Sequence, residues 1–270
     1  MAEEIIIHDG NYTDFIDCEV NGEKKHRGLK PRNYAIHPVG CFAFAPRFSL
    51  DIIPESQWQS RLDELIARKA QLSDIRNTGM NGSRIPSRDQ NGRGYCWGHS
   101  STSVAMIWRA LMGLPYADLS AYAVCCIIKR FRDEGGNAID SLSFMADRGI
   151  PTSQYWPQQS TNRSNDNPQT WANAALHKFA PNWMDLDTDQ DQMRAQLVTC
   201  LLLGIPVATD FDWWGHSVAS IDLVSVRPFR TRIWNSWGDD WSDNGMGLLE
   251  GSKAIPNGAV AALTMSASYN

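Results

Sequence analysis

A cysteine lies where a glycine-rich loop meets a predicted helix, and this junction constrains the fold more than any other stretch of the chain. Gly92 and Gly94 give the backbone conformational freedom just before Cys96. Apolar residues then recur at helical spacing as far as Leu111, which predicts a helix that begins near the cysteine. The positive end of a helix dipole favours a thiolate, the nucleophilic form of cysteine. Residues 90–101 therefore predict a site for covalent catalysis.

Two stretches in the last third of the chain carry side chains that could assist such a cysteine. His216 lies in the alternating run Gly-His-Ser-Val-Ala-Ser-Ile, which predicts a strand. Asn235 begins the sequence Asn-Ser-Trp-Gly, and Trp241 and Gly245 follow at short intervals. A nucleophilic cysteine needs a base and a group that orients the base, and histidine and asparagine can fill these roles.

These motifs together resemble those of the papain-like cysteine peptidases. They occur in the chain order of that family, as Gln-x5-Cys-Trp, Gly-His-Ser-Val and Asn-Ser-Trp-Gly-x2-Trp-x3-Gly. The resemblance covers residues 84–270 and implies an α+β fold of two lobes, in a phage or bacterial branch of the family. It implies a mainly helical lobe over 84–180 and a mainly β lobe, a small antiparallel barrel or sheet, over 181–270. The active site would lie in the cleft between them.

The resemblance also implies a role for each motif residue. Cys96 would attack a peptide carbonyl to form a thioester, with His216 as the general base and later the acid for the leaving amine. Asn235 would accept the histidine N–H and hold the ring. Gln90 would donate its side-chain amide to the oxyanion, together with the backbone N–H of Cys96. Trp237 would shield the Asn235–His216 bond from water. His99 has the helical spacing to reach the thiol, but we expect it to be structural.

Two further features bear on substrate binding. In the family, a glycine pair that corresponds to Gly135 and Gly136 lines the groove and pairs with an extended peptide; the alternative is a plain turn. The connection between Phe211 and His216 is short and aromatic. It predicts a cleft wall of Trp213 or Trp214, unless these tryptophans pack under the barrel instead.

This sequence departs from the family at its disulfides. The positions of one family disulfide are here Arg93 and Asp133, for which we predict an ion pair with side chains within about 6 Å. Cys126 lies where a second disulfide would begin, but its partner cysteine is missing, so Cys125 and Cys126 are expected in a helix core. All six cysteines are expected to be free thiols.

Local patterns predict the other elements of secondary structure. An amphipathic helix is expected from Ser56, as its N-cap, to Leu72. Further helices are predicted over 119–132, from Asn137 to Gly149, from Pro168 to Phe179 and from Thr188 to Gly204. Strands are predicted over 206–211, 216–226, 230–234, 246–250 and 259–265.

The first 80 residues precede the region of resemblance. Ile5–Ile7 and Gly40–Ala45 predict short strands or extended arms, and the amphipathic helix follows. Three interpretations of this region stay open. It could be a structural extension wrapped on the domain, a segment that docks onto a larger assembly through residues 1–50, or a removable inhibitory prosegment.

Composition and charge limit the classes of binding partner that we expect. The net charge is −5 with both signs mixed and no basic block, so nucleic acid is not expected. No apolar run approaches the ~18 residues needed to span a bilayer, and the N-terminus does not resemble a signal peptide. We expect a cytoplasmic or virion-borne protein that needs no disulfide. The cysteines lack metal-type spacing, and neither metal nor cofactor is expected.

The sequence thus predicts a cysteine endopeptidase that acts on peptide or protein substrates. The alternative is a phage virion or assembly protein that keeps the fold, with or without its activity. Hydrolysis of an amide in a cell-wall peptide would use the same chemistry in a groove of different shape.

Overall fold

A seven-stranded sheet, six of whose strands come from the C-terminal half of the chain, packs against one long helix from the N-terminal half. A computed structural model of the protein describes residues 4–42, 45–179 and 183–265. The helices are α1 (Glu55–Ala67), α2 (Leu72–Thr78), α3 (Cys96–Leu111), α4 (Ala121–Ile128), α5 (Ala138–Arg148), α6 (Pro168–Ala174) and α7 (Gln190–Leu202). The strands are β1 (Ile6–Ile7), β2 (Glu19–Val20), β3 (Glu23–Lys24), β4 (Trp183–Asp185), β5 (Val207–Phe211), β6 (His216–Ser225), β7 (Arg230–Trp234), β8 (Met246–Glu250) and β9 (Gly258–Ala262).

The strand order in the sheet is β1-β8-β7-β6-β5-β9-β4. Each pair is antiparallel except β1 and β8, which are parallel. The central strand β6 is covered on both faces: Val218 belongs to the hydrophobic cluster on the α1 and α7 side, and Ala219 to the cluster on the α3 and α5 side. Successive side chains of a strand point to opposite faces, so β6 is buried through its first eight residues.

The start of α3 is buried although it is rich in hydroxyl groups. Ser100 shares a hydrogen bond of 2.9 Å with Ser217 on β6, and Ser101 shares one of 2.6 Å with Ser141 on α5. Buried polar groups must be hydrogen-bonded, and here the bonds join α3 to both neighbouring elements. They fix the helix N-terminus against the sheet.

Most of the predicted elements of the two lobes are confirmed. β7 and β8 have the predicted bounds, and α5 follows an N-cap at Asn137 and ends at Gly149. α4 is shorter than predicted because Arg130 and Phe131 adopt positive φ angles of 52° and 64°. α6 also ends early, at Ala174, and its predicted last residue, Phe179, instead bridges to Met265.

The predictions for the first 80 residues hold only in part. The strand predicted at Ile5–Ile7 is confirmed as β1, which covers Ile6–Ile7. Ala43 and Phe44 of the second predicted extended stretch lie outside the described residues. The predicted amphipathic helix begins earlier, at Glu55 with Pro54 as N-cap, so Ser56 is not the cap. It ends at Ala67, and Leu72 opens the separate helix α2.

None of the described helices combines the length and the apolar composition needed to cross a bilayer.

Candidate active site

Cys96 is the first residue of α3 and is fully buried. The preceding turn is made by Asn91 and Gly92, with φ angles of 43° and 72°. Burial raises the pKa of the thiol to about 12, and backbone groups of Ser217 and Gly28 lower it only in part. The thiol therefore lies at a helix N-terminus, as predicted, but is neutral in this closed arrangement.

His216 and Asn235 lie side by side because β6 and β7 are neighbouring strands. His216 opens β6, Asn235 follows β7, and the His216 Nε2 to Asn235 Oδ1 distance is 2.7 Å. The same oxygen accepts the backbone N–H of Ser236 at 2.8 Å, which fixes the orientation of the amide. Because this oxygen is an acceptor, Nε2 carries the proton in the neutral ring and Nδ1 is the basic nitrogen. Nδ1 is buried without a hydrogen-bond partner among the described residues.

Tryptophans enclose this histidine. Trp237 stacks on His216 with ring centroids 4.6 Å apart, and Trp214 meets it edge-on at 4.9 Å. Trp241 packs edge-on against Trp237. Burial lowers the pKa of His216 to about 3, and the guanidinium of Arg27 acts in the same direction. The imidazole is therefore neutral here, like the thiol.

Gln90 is held by Ser236, the residue after Asn235. Its Oε1 accepts the Ser236 hydroxyl at 2.7 Å, and its backbone N–H donates to the Ser236 carbonyl at 2.9 Å. These bonds turn the amide NH2 of Gln90 towards two carbonyl oxygens, those of Arg93 at 2.6 Å and His26 at 2.9 Å. The nitrogen predicted to bind an oxyanion thus contacts a backbone carbonyl of the N-terminal arm (residues 1–50).

The glycine pair also contacts the arm. The N–H of Gly136 donates to the Gly28 carbonyl at 2.9 Å, and the N–H of Lys30 donates to the Gly136 carbonyl at 2.8 Å. This pattern is a parallel bridge between Leu29 and Gly136. A side chain on Gly135 would have its Cβ only 2.3 Å from the Gly28 oxygen, so glycine is required for this approach.

Residues 25–30 of the arm, which we call the cleft segment, therefore lie across all of these groups. The Gly28 Cα faces the backbone of Gly94 so closely that an added Cβ would lie 2.1 Å from the Gly94 oxygen. Arg27 donates to the Trp214 carbonyl at 2.7 Å, and Leu29 donates to the Gly215 carbonyl at 3.1 Å. Trp237 Nε1 donates to the His26 carbonyl at 3.2 Å. Cys96 and His216 have no exposed surface beneath the segment.

The other residues singled out from the sequence lie as follows. Trp214 is fully buried behind His216 and donates its Nε1–H to the Phe15 carbonyl at 2.9 Å. His99 is buried against Tyr122, and burial lowers its pKa to about 3. The predicted Arg93–Asp133 ion pair is confirmed at 4.0 Å. All six cysteines are free thiols, and Cys125 and Cys126 are buried in α4, as predicted.

Sequence reasoning missed the contribution of the cleft segment. Gly28 belongs to no motif, and its requirement for glycine arises only from the distant backbones of Gly94 and Gly135. Sequence reasoning also missed Asp210, a buried acid in the middle of the sheet. The local signal was a charged residue inside a short predicted strand.

Among the described residues, no group of three or more His, Cys, Asp or Glu side chains could hold a metal ion.

No family model and no curated protein matches the sequence, but solved structures match the fold. Xylellain, a cysteine protease from Xylella fastidiosa, matches with a TM-score of 0.61 at 14% identity, over 90% of this chain and 97% of that chain. Digestive procathepsin L 3 of the Tenebrio molitor larval midgut matches with a TM-score of 0.60 at 15% identity, over 94% and 79%. A structure from work on the mite allergens Blo t 1 and Der p 1 matches with a TM-score of 0.53 at 18% identity, over 66% and 67%. The predicted α+β fold is confirmed, and the chain has the two-lobed fold of the papain-like cysteine proteases.

Proposed function

We propose that the protein is a cysteine peptidase that hydrolyses peptide bonds through Cys96, His216 and Asn235. The observation that carries the proposal is the 2.7 Å bond from His216 Nε2 to Asn235 Oδ1. It leaves Nδ1 as the basic nitrogen, on the strand next to α3 and without a hydrogen-bond partner among the described residues. The bond between Ser100 and Ser217 holds the start of α3 against the start of β6. A base, its orienting amide and a helix-terminal thiol are the parts of a cysteine triad.

The reaction would proceed in two steps. His216 Nδ1 takes the thiol proton, and the Cys96 sulfur attacks the peptide carbonyl carbon, so that its oxygen becomes negative. The amide of Gln90 and the backbone N–H of Cys96 would bind that oxygen. The carbon–nitrogen bond then breaks as His216 protonates the leaving amine. Water, deprotonated by His216, hydrolyses the thioester and releases the thiol.

We further propose that the cleft segment keeps this peptidase inactive. It uses the amide of Gln90 and the backbone of Gly136, groups that a substrate would need. Burial of the thiol and imidazole, with the charge of Arg27 near His216, disfavours the thiolate–imidazolium pair. The segment is therefore an inhibitor as well as a covering.

The segment is not arranged as a substrate. Attack needs one peptide group with its oxygen at Gln90 and its carbon at the sulfur. Here the carbonyl at Gln90 belongs to His26, whereas the backbone group that acts on the thiol belongs to Gly28. The occupant thus fills the cleft without presenting a bond for cleavage.

The coverage of the matched structures supports a role for the first 80 residues in a resting form. Procathepsin L 3 covers 94% of this chain and xylellain 90%, so each match includes most of residues 1–80. Procathepsin L 3 is, by its name, a proenzyme. The alternative of a virion or assembly protein that docks through residues 1–50 stays a prediction. The cleft segment and β1 of that region lie against the chain's own lobes.

Opening the cleft tests both parts of the proposal. Gly28→Val should displace the segment, because its side chain would collide with the Gly94 backbone. We expect a peptidyl vinyl sulfone to label Cys96 about 100-fold faster than in the wild type. The mass of the intact protein over time measures the labelling rate. Gly22→Asn is the matched control: it lies in the same arm, has open space around its Cβ, and its φ of 77° suits asparagine.

The two parts can fail separately. If Gly28→Val is labelled no faster than wild type, and wild type is labelled readily, the segment is no inhibitor but the peptidase proposal stands. If neither protein is labelled or cleaves peptides, although both are folded, the peptidase proposal is wrong.

A further inference from the structure

Asp210 is a buried carboxyl group that the proposed mechanism does not use. It lies on β5 with 7% of its surface exposed. Its Oδ2 accepts the backbone N–H of Ala138 at 3.1 Å, and Asp210 lies opposite Ser217 in the pairing of β5 with β6. Its Oδ1 has no hydrogen-bond partner among the described residues. A buried acceptor of this kind is costly unless something else binds it.

The location of this carboxyl group ties it to the cleft. Ala138 is two residues from Gly136, which pairs with the cleft segment, and Ser217 directly follows His216. Asp210 also acts electrostatically on Cys96 and raises the pKa of its thiol. The group thus lies between the backbone that binds an extended chain and the residues proposed to cut it.

Tyr34 of the N-terminal arm lies near this position, on the other side of Gly258. A Cβ placed on Gly258 would lie 2.9 Å from the Tyr34 hydroxyl and 3.7 Å from Asp210 Oδ2. The Tyr34 hydroxyl donates to the Asn257 carbonyl at 3.1 Å, so Oδ1 of Asp210 has no donor in the part of the chain that the structure describes. Withdrawal of the arm would therefore break no hydrogen bond between Tyr34 and Asp210.

No cation among the described residues forms an ion pair with Asp210. Burial raises its pKa to about 7, and the neighbouring carboxylates of Asp212 and Asp140 act in the same direction. A cationic side chain placed against Oδ1 would stabilise the ionised form and supply the missing donor.

We infer that Asp210 selects a lysine or arginine side chain in the substrate residue that pairs with Gly136. The inference rests on the proposed peptidase function and names a substrate class for it: peptides with a basic residue close before the bond that is cut. Asp210 is then a specificity residue that contacts the substrate, beside its bond to Ala138.

A purely structural role is the rival explanation, because Ala138 begins α5 and Asp210 accepts its backbone N–H. Asp210→Asn separates the two, since asparagine keeps an acceptor for the Ala138 N–H and removes the charge. The experiment uses the full-length Gly28→Val protein and vinyl sulfones that carry lysine, arginine, leucine or acetyl-lysine, varied one at a time at the three positions before the reactive group.

We expect the basic probes to label Cys96 at least tenfold faster than leucine at one of these positions, and acetyl-lysine to be as slow as leucine. In the Asp210→Asn variant this ratio should fall about tenfold. Asp212→Asn, an exposed carboxylate two residues away, should leave the ratio unchanged.

Equal labelling by lysine and acetyl-lysine probes overturns the inference without any Asp210 variant, so misfolding of that variant cannot leave it undecided. An unchanged ratio in folded Asp210→Asn overturns it too. If no probe labels Cys96 in Gly28→Val, the peptidase proposal itself fails and this inference fails with it.

Discussion

The first strand of the arm and the cleft segment are held in different ways. Ile7 in β1 is fully buried and extends the main sheet by parallel pairing with β8. The cleft segment is held by polar contacts: backbone bonds, the ion pair of buried Lys25 with Asp89 at 2.8 Å and the bond from Arg27 to the Trp214 carbonyl. Downstream, Arg32 forms a buried bidentate ion pair with Asp185. The arm is therefore anchored on both sides of a stretch that is itself held by polar contacts.

This difference between apolar burial and polar contacts indicates how the cleft can open. Burial of apolar surface fixes β1 to the core, whereas the bonds of the cleft segment can be exchanged for bonds to a substrate or to water. The segment can leave while the anchors stay in place, so opening need not unfold the domain. Local openings of this kind are expected where few apolar side chains are buried.

The largest expected effect tests whether the cleft segment covers a catalytic site. In the Gly28→Val background, Cys96→Ala should lower peptide hydrolysis by at least about 1,000-fold, because the nucleophile is lost. Cleavage of a quenched fluorescent peptide measures the rate. Cys126→Ala, another buried thiol, is the control and should retain activity. Equal activity of Cys96→Ala and its parent would remove the basis of the proposed mechanism.

The second prediction sharpens the contrast between anchor and segment. Ile7→Ala should lower the free energy of unfolding by about 2–5 kcal/mol, because it leaves a cavity in the core. Gly28→Val should change it far less, since the segment can swing out of the cleft. Urea unfolding of both variants measures the difference. Similar losses in the two variants would mean that the segment is part of the folding core.

Features of these regions that short local sequence patterns mark could be predicted, and features that depend on contacts between distant residues could not. The positions of Cys96 and His216 at element starts were predictable, because glycine turns and helix or strand periodicity mark them locally. Their catalytic roles stay predictions. The strand at Ile6–Ile7 was also visible as a short apolar run.

Other features depend on distant contacts and could not be predicted. Gly28 is required only because Gly94 and Gly135 approach it, and Asp210 matters only because α5 begins beside it. The helix α4 stops at Ile128, although nothing in the local sequence breaks it there. Tertiary context overrides helix propensity at such places.

The third prediction concerns pH, which should change how often the cleft segment opens while β1 stays paired with β8. The closed form holds the pKa of His216 near 3, and opening would return it towards about 6.5, so acid favours the open form. Asp210 acts in the opposite direction: its pKa of about 7 in the closed form would fall on opening, so its protonation in acid favours the closed form. We expect the two effects to offset one another in the wild type between pH 7 and pH 5.

Removal of one of the two titrating groups should reveal the pH effect of the other. In Asp210→Asn, hydrogen-exchange protection of the Leu29 and Lys30 amides should fall by roughly ten- to thirtyfold from pH 7 to pH 5, after correction for intrinsic exchange. These amides donate to Gly215 and Gly136 in the closed form. The Leu248 amide, which donates to the Ile5 carbonyl next to β1, should keep its protection. Loss of protection at Leu248 to the same degree would contradict a local opening.

The smallest effects concern the loop on which the cleft segment rests. Asp133 binds twice: it forms the 4.0 Å ion pair with Arg93 and accepts the Gly94 N–H at 2.9 Å. The Arg93 and Asp133 side chains are 34% and 42% exposed, so Arg93→Ala should cost at most about 1 kcal/mol in the free energy of unfolding. It should not change the labelling of Cys96.

Asp133→Ala also frees Gly94, the residue against which Gly28 packs, and should raise the labelling rate a few-fold. Asp133→Asn keeps an acceptor for the Gly94 N–H and should behave like Arg93→Ala. If all three variants are labelled alike, the Gly94 backbone does not determine how tightly the segment is held.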